Sequence, residues 1–247
     1  MIQDYSSYRF SFKDNIKYIL QGTAVIIILG ALFYRSLPGI VLLSPLVYYY
    51  RRSRARGLIK ERKWKLNLEF RDGIIALAAA LEAGYSAENA FEEASKDLRQ
   101  IYPDNSMISH EFSFIINQIC MNITVEKALG DFGERTGIED ILSFSEVFCT
   151  AKRTGGDLIN VIKITSNMIS DKIEVKREII TLITAKRLEA NIMKLTPLFI
   201  LVYLSFSSPG FLNPLYHNFP GVAVMTIFLS CYLGALLIID KIIAIEV

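Results

Sequence analysis

The 18 residues from Val222 to Ile239 read VAVMTIFLSCYLGALLII and contain no charged side chain. A helix of this length is about 27 Å long, which nearly matches the roughly 30 Å hydrocarbon core of a bilayer. The stretch therefore predicts a membrane-spanning helix, and with it a membrane protein.

Three further apolar stretches accompany this one. Leu195–Leu212 lies just before it, and Tyr18–Tyr34 and Leu37–Tyr50 lie near the other end of the sequence. The last is the shortest and contains two prolines, so it is either a short tilted span or one arm of a re-entrant hairpin. We favour a span, because three tyrosines at its end suit the membrane interface. The sequence thus predicts two spans on each side of a central region.

Charge is concentrated between the two pairs of apolar stretches. Residues 51–190 hold 21 of the 27 Lys and Arg residues and 21 of the 25 Asp and Glu residues. Such a region belongs in water, whereas the stretches on either side do not. The chain is therefore divided into an N-terminal segment with a membrane hairpin (1–50), a water-exposed domain (51–190) and a C-terminal membrane hairpin (191–247).

The loops give the orientation. Eight Lys and Arg residues lie between Arg51 and Lys65, whereas Ser207–Asn218 has no charged residue. Positively charged loops stay on the cytosolic side. We therefore expect a multi-pass protein of the cell membrane, with the central domain and both termini in the cytosol. The basic segment 51–56 is interpreted as an anchor to membrane lipids rather than as a nucleic-acid site.

The central domain has helical periodicity and few strand signals. Glycine, proline and capping residues divide it into about six helices. Gly84 is expected to end the first helix in a left-handed conformation. The predicted helices are 64–83, 87–101, 107–121, 124–135, 139–153 and a sixth that starts after Asp157.

The sixth helix has no glycine or proline from Leu158 until Pro197. We expect it to run from the cytosolic bundle into the third span. Its isoleucines are separated by threes, fours and sevens, which makes one apolar stripe: Ile159, Ile162, Ile169, Ile173, Ile180 and Ile183.

A weak internal repeat marks three helix starts. In each copy a helix breaker precedes a capping residue, and a small or β-branched residue follows. The Gly155-Gly156 corner is interpreted as setting the angle between the fifth and sixth helices, or simply as a helix cap. The candidate residues of the repeat are Gly84, Ser86 and Ala90, then Thr124 and Ala128, then Gly155, Gly156, Asp157 and Leu158.

The motifs of common enzymes are missing from the sequence. It has no phosphate-binding Gly-x-x-x-x-Gly-Lys-Ser/Thr loop and no Gly-x-Ser-x-Gly elbow. Its two histidines, His110 and His217, are predicted on opposite sides of the membrane, which disfavours a histidine-based catalytic or metal site. We therefore expect no catalytic, metal-binding or cofactor-binding residues, and a protein that is not an enzyme.

The central residues resemble the cytoplasmic helical domain of inner-membrane platform proteins in type II secretion and type IV pilus machines. The resemblance covers about residues 71–197. It rests on Leu81-Glu82-Ala83-Gly84-Tyr85-Ser86, on Ala128-Leu129-Gly130-Asp131-Phe132-Gly133-Glu134-Arg135 and most of all on Ala151-Lys152-Arg153-Thr154-Gly155-Gly156-Asp157-Leu158. These segments, with the long helix that follows, look most like the TadB branch of Flp/Tad pilus assembly.

The resemblance implies a scaffold. It suggests contact with a cytosolic hexameric secretion ATPase, with a second platform protein of the TadC type and with pilin subunits, and it suggests an oligomer; no nucleic acid is implied. Arg135 and Arg153 are the charged candidates for interaction. The classical secretion branch typically has a glutamate where Arg153 stands and carries two copies of the domain, so its carboxylate-centred sites do not transfer to this chain.

Two other classes of function remain open. A membrane transporter or channel subunit is compatible with four spans, although the spans carry almost no ionisable residue that would form a relay. A membrane enzyme, such as a protease or a lipid transferase, would need a catalytic constellation that the sequence lacks. The platform protein is the interpretation that we favour.

Overall fold

The structure is a computed structural model that describes residues 5, 12–34, 45–154, 157–208, 210 and 212–245. Every regular element in these ranges is a helix, so the predicted all-α fold is confirmed. The helices are α1 (Phe12–Phe33), α2 (Pro45–Glu82), α3 (Ala87–Ile101), α4 (Met107–Cys120), α5 (Val125–Thr136), α6 (Glu139–Thr154), α7 (Leu158–Ser207), α8 (Asn213–His217) and α9 (Phe219–Ile245).

The described residues form two compact units. The first, which we call the bundle, consists of Tyr5 and residues 55–175. The second, which we call the apolar unit, consists of the described residues in 10–54 and 176–247. Helices α2 and α7 each contribute residues to both units.

Aromatic side chains fill the core of the bundle. The ring of Phe70 meets those of Phe132 and Phe144 edge-on, at centroid distances of 5.9 and 5.5 Å. Phe91 of α3 lies 5.5 Å from Phe112 of α4. Because these rings come from α2 to α6, the core ties all five helices together, and the buried aromatic area stabilises the bundle.

The boundaries of the bundle helices follow the predicted signals. Helices α3 to α6 begin and end within one residue of the expected positions. Gly84 has φ +90 and Gly137 has φ +55, and the non-glycine residue Asn122 has φ 62. This left-handed conformation suits glycine and is tolerated by asparagine, so these residues end the helices where the sequence indicates.

The start of α2 differs from the prediction. We expected the first helix of the domain to begin near Trp64, but the helix begins at Pro45 and includes the basic segment 51–56. Proline is tolerated in the first turn of a helix, and arginine and lysine are good helix formers. Gly57 inside the helix costs only about 1 kcal/mol, so the helix continues through it.

Helix α7 is continuous over 50 residues and includes Pro197, as the sequence predicts. The expected isoleucine stripe is only partly buried. Ile162, Ile169, Ile173 and Ile183 are buried, whereas Ile159 is exposed and Ile180 is half-buried. At 100° per residue Ile159 lies about 60° from Ile162, at the edge of the stripe, where the bundle covers it less.

The apolar unit has its own small core. Ile26, Leu29 and Phe33 of α1 pack with Met225 and Leu229 of α9. The hydroxyl of Tyr34 hydrogen-bonds that of Thr226 at 3.0 Å, and the hydroxyl of Tyr216 donates to the carbonyl of Leu32 at 2.7 Å. Helices α1, α8 and α9 therefore form one packed group.

The expectation of four spans is not supported in the described ranges. Two helices there are long and apolar enough to cross a membrane, namely α7 and the part of α9 from Pro220 to Ile242. The apolar part of α1, Ile19–Phe33, is shorter and corresponds to only about 22 Å of helix. Most of the predicted second span, 37–50, lies outside the described residues, and its last residues belong to α2.

Candidate interaction site

One side chain of the bundle, that of Lys152, contacts two of the three repeated helix starts. Lys152, near the end of α6, donates to Glu88 Oε1 of α3 at 3.2 Å and to Glu126 Oε2 of α5 at 3.4 Å. The third start, Asp157–Leu158, follows α6 directly in the chain. The corner cluster, as we call it, consists of Lys152, Arg153 and the three helix starts, which are Gly84 to Ala90, Thr124 to Ala128 and Asp157–Leu158.

The first corner joins α2 to α3. Gly84 adopts the left-handed conformation that ends α2. Ser86 occupies the N-cap position of α3, where its hydroxyl accepts a hydrogen bond from the Asn89 N–H at 3.3 Å. Ala90, one turn into α3, is completely buried. The predicted roles of Gly84 and Ser86 in the helix ends are therefore confirmed.

The second corner joins α4 to α5 and has a weaker cap. Thr124 has the extended backbone of an N-cap residue, but its side chain makes no capping hydrogen bond. Thr124 thus occupies the predicted N-cap position, but its hydroxyl does not form the capping hydrogen bond. Ala128, the counterpart of Ala90, is also completely buried. Both alanines belong to the core of the bundle.

The third corner begins α7. Asp157 Oδ1 accepts a hydrogen bond from the Asn160 N–H at 3.1 Å, which is the geometry of a helix cap. Leu158 is partly buried and packs against the bundle core. Gly155 and Gly156 lie outside the described residues, so the angle that we assigned to them stays a prediction.

Salt bridges surround the corner cluster. Besides the two contacts of Lys152, Lys163 of α7 donates to Glu82 Oε1 at the end of α2, at 2.7 Å. The side chains of these pairs are between 28% and 57% exposed, so each pair contributes only about 0–1 kcal/mol to stability.

The charges of the cluster alter each other's ionisation. A hydrogen bond from its own backbone N–H lowers the pKa of the Glu88 carboxyl, and Lys152 lowers it further. Burial lowers the pKa of the Lys152 amine, but the hydrogen bond to Glu88 and the charge of Glu126 outweigh burial and raise it. Both groups are therefore kept charged at neutral pH.

Arg153 follows Lys152 in α6 and is exposed to solvent. Close to it, a groove of about 400 Å³ runs between α6 and α7, lined by Glu146, Val147, Thr150, Ala151, Thr154 and Val161. An exposed cation and a groove of mixed polarity thus lie together at the end of α6.

Arg135 is not part of the corner cluster. Its guanidinium forms a two-pronged ion pair with Glu111 of α4, at 2.7 and 3.2 Å, and a further bond to Asp131 at 2.8 Å. Glu111 is almost fully buried, and Arg135 is largely so. We therefore assign Arg135 a role in holding α4 and α5 together rather than in contacting a partner.

The sequence did not reveal the third member of this buried group. The hydroxyl of Tyr5 donates to Glu111 Oε1 at 2.8 Å, and its ring lies 4.9 Å from the guanidinium carbon of Arg62. Burial and the negative charge of Glu111 raise the pKa of the Tyr5 hydroxyl. Tyr5 and Glu111 are 106 positions apart, so no local pattern could have paired them.

In the part of the chain that the structure describes, no group of three or more His, Cys, Asp or Glu residues could hold a metal ion. Comparisons with models of protein families, with curated proteins and with solved structures found no match for this chain.

Proposed function

We propose that this chain is a platform protein in the cytoplasmic membrane, of the kind that serves a type IV pilus or a type II secretion-like machine. In this role it connects a cytosolic secretion ATPase to the assembly of pilin subunits, together with a second platform protein. The bundle is the cytosolic part, and the apolar stretches of α1, of α7 from Leu195 onward and of α9 are the part in the membrane.

The observation that carries the proposal is helix α7. It begins at the corner cluster and ends in a stretch that is apolar enough to cross a membrane. On the order of 55 Å of continuous helix separates Leu158 from Leu195, where the apolar stretch begins. A helix of that length can transmit a displacement at the cluster to the membrane without a flexible joint.

The membrane arrangement in this proposal has four crossings, with the central domain and both termini in the cytosol. Helices α7 and α9 supply two of them. Helix α1 accompanies α9, since its apolar residues pack against α9, and the second crossing falls within residues 37–50. The uncharged loop near His217 then faces away from the cytosol.

The ATPase is proposed to contact the corner cluster through the exposed Arg153. This end of the bundle is formed by the last turn of α2 and the first turn of α7. In sequence, these two turns are the parts of α2 and α7 that lie farthest from the apolar stretches. The salt bridges of Lys152 hold two helix starts in fixed positions, as a docking surface requires.

Surface pili test the proposal. Deleting the gene should abolish pili seen by electron microscopy, and the intact gene should restore them. An Arg153→Glu variant should fail to restore pili, although an immunoblot shows normal protein in the membrane. The matched control is Arg99→Glu, which reverses the charge of another exposed arginine at the end of α3 and should restore pili. A deletion strain with normal pili would overturn the proposal.

Membrane topology is tested separately by cysteine labelling in intact cells, with Cys120, Cys149 and Cys231 replaced by serine. A cysteine in place of His217 should react with an impermeant maleimide added outside, and a cysteine in place of Lys96 should not. The reverse result would contradict the cytosolic location of the bundle.

The ATPase contact also has a biochemical test. The purified chain in detergent should bind its cognate secretion ATPase and raise the rate of ATP hydrolysis by that ATPase, while hydrolysing none itself. The Arg153→Glu variant should bind less well than the Arg99→Glu variant. Hydrolysis by the chain alone, free of contaminants, would argue against a scaffold.

A further inference from the structure

Helix α7 carries a second apolar stripe, on the side that faces away from the bundle core. Its members are Ile164, Met168, Val175 and Leu182, whose side chains are 51%, 65%, 55% and 74% exposed. Met168, Val175 and Leu182 are seven residues apart, so they lie almost on one line along the helix. We call these four residues the outer seam.

The outer seam is distinct from the packed face of the helix. Ile162, Ile169 and Ile173 are at most 6% exposed and belong to the bundle core. At 100° per residue they lie on the side of α7 opposite Met168 and Val175. The helix is thus apolar on two opposite faces, and the bundle covers only one of them.

Lipid does not reach the outer seam if the chain has the proposed function, on which this inference rests. Leu182 lies about 20 Å of helix before Leu195, where the apolar stretch starts, and Ile164 lies about 46 Å before it. These residues are therefore in the cytosol, where four exposed large apolar side chains in one row indicate a protein contact.

We propose that the outer seam binds the outer seam of a second copy of this chain, with the two α7 helices parallel. Copies inserted in the same membrane have the same orientation, so their α7 helices point in the same direction. The seven-residue spacing keeps Met168, Val175 and Leu182 on one face of α7, so parallel helices can bring these faces together along their length. Insertion in one membrane also lowers the rotational entropy that association costs.

The charges beside the seam fit a parallel pair. Asp171 and Lys172 lie about 50° to either side of the line through Met168 and Val175. When two such helices pack in parallel, the side of the seam that carries Asp171 in one copy meets the side that carries Lys172 in the other. Asp171 therefore faces Lys172 of the second copy, at nearly the same position along the helix axis. Glu174 and Glu178 lie on the same side as Asp171, so an antiparallel pair would bring acidic flanks together.

Lys172 remains available for this contact. Its amine donates to Asp140 Oδ1 at 2.6 Å and lies 3.8 Å from Glu139, yet its side chain is 56% exposed. An ammonium group has three donors, so one amine can bond Asp140 in its own bundle and Asp171 of the second copy.

Cysteine cross-linking of the full chain in its native membrane tests the pairing, in a background where the three native cysteines are serine. A Met168→Cys variant should form a covalent dimer under mild oxidation. An Arg177→Cys variant, exposed on another side of α7, should give at most a tenth of that yield. Absence of the Met168→Cys dimer, or equal yields for both, would overturn the proposal.

Two charge changes in the Met168→Cys background test the seam and its direction. Val175→Glu should lower the dimer yield at least tenfold, whereas Arg177→Glu should leave it unchanged; equal effects would overturn the proposal. Asp171→Lys should also lower the yield, because the introduced amine would then face Lys172 of the second copy. A higher yield with this change would indicate antiparallel helices and contradict the proposal.

The outcome is separable from that of the proposed function. Fluorescence of the sole tryptophan, Trp64, shows whether the bundle of each variant is folded. If Met168→Cys forms no dimer although deletion of the gene abolishes pili, the seam proposal fails and the platform function stands. If deletion leaves pili intact although the dimer forms, the platform function fails.

Discussion

Phe70, Phe132 and Phe144 in the bundle are at most 1% exposed, whereas Phe199 and Phe206 on α7 are 67% and 84% exposed. The same residue type is therefore packed in the bundle and uncovered at the end of α7. Burial of aromatic rings provides much of the stability of the bundle. At the end of α7 the two rings lie on the outside, which suits a helix surrounded by lipid.

This difference is already visible in the sequence pattern. Apolar residues of the bundle recur with helical period among charged residues, so each helix has one buried face. In α9, and in α7 from Leu195 onward, they are nearly continuous, so no face is polar. A helix that is apolar on all sides needs an apolar environment on all sides, so these segments suit a different solvent from that of the bundle.

The largest expected effect is on stability, and it compares a buried phenylalanine of the bundle with an exposed one of the apolar unit. Phe132→Ala should lower the free energy of unfolding of the bundle by about 3–5 kcal/mol, because it leaves a cavity in the core. Phe199→Ala should lower it by less than about 0.5 kcal/mol, as expected of an exposed site. Urea unfolding of the full chain in detergent, followed by Trp64 fluorescence, measures both. Equal losses would mean that the two units do not differ in this way.

The second effect concerns the buried ion pair. Arg135→Ala leaves the Glu111 carboxylate buried without its main partner and should cost about 3–5 kcal/mol. Arg99→Ala removes an exposed arginine whose nearest carboxylate, that of Asp104, is 3.9 Å away, and should cost about 0–1 kcal/mol. The same unfolding measurement applies. A cost below about 1 kcal/mol for Arg135→Ala would show that this pair does not hold α4 and α5 together.

The third effect tests how tightly the bundle is packed. A Cβ atom at Gly73 would lie 2.8 Å from Phe112 Cζ, whereas one at Gly130 would meet nothing within 4 Å. Gly73→Ala should therefore destabilise the bundle by about 1–3 kcal/mol. Gly130→Ala, inside α5, should stabilise it by about 0.5–1 kcal/mol. If the melting temperature rises in both variants, the packing around Phe112 is looser than described.

The smallest effect compares the first two corners. Ser86→Ala removes a capping hydrogen bond and should cost about 0.5–2 kcal/mol. Thr124→Ala removes a hydroxyl that makes no such bond and should cost clearly less. Thermal unfolding of both variants, monitored by circular dichroism in the same detergent, gives the difference. A larger cost for Thr124→Ala would reverse our assignment of the caps.

Local signals in the sequence were enough to place the helices of the bundle. Gly84, Ser86 and Asp157 act on their neighbours in the chain, so their effects can be inferred without a structure. Contacts between distant residues were not predictable in this way. The bonds of Lys152 to Glu88 and Glu126 span 64 and 26 positions, and they form only because the core brings three helices together.

The predictions that differ from the structure concern places where local rules compete. Propensity favours a helix through Arg51–Arg56, whereas the change from apolar to charged residues suggested a boundary there. Arg135 was a candidate for interaction through the resemblance; it pairs with the buried carboxylate of Glu111, and its contact with a partner stays a prediction. Ile159 belongs to the apolar stripe that periodicity predicts, yet it is 39% exposed, because periodicity does not show which residues of a stripe the neighbouring helices cover.

The most direct test of the central claim, that the bundle lies in water and the apolar end of α7 in lipid, compares two residues of equal exposure. Ile101 in α3 is 66% exposed and Phe199 in α7 is 67% exposed. Each is replaced by cysteine in the chain without native cysteines, and inside-out membrane vesicles are treated with a water-soluble maleimide. We predict that Ile101→Cys is labelled and that Phe199→Cys is labelled only after detergent is added. Equal labelling of both in intact vesicles would contradict the account.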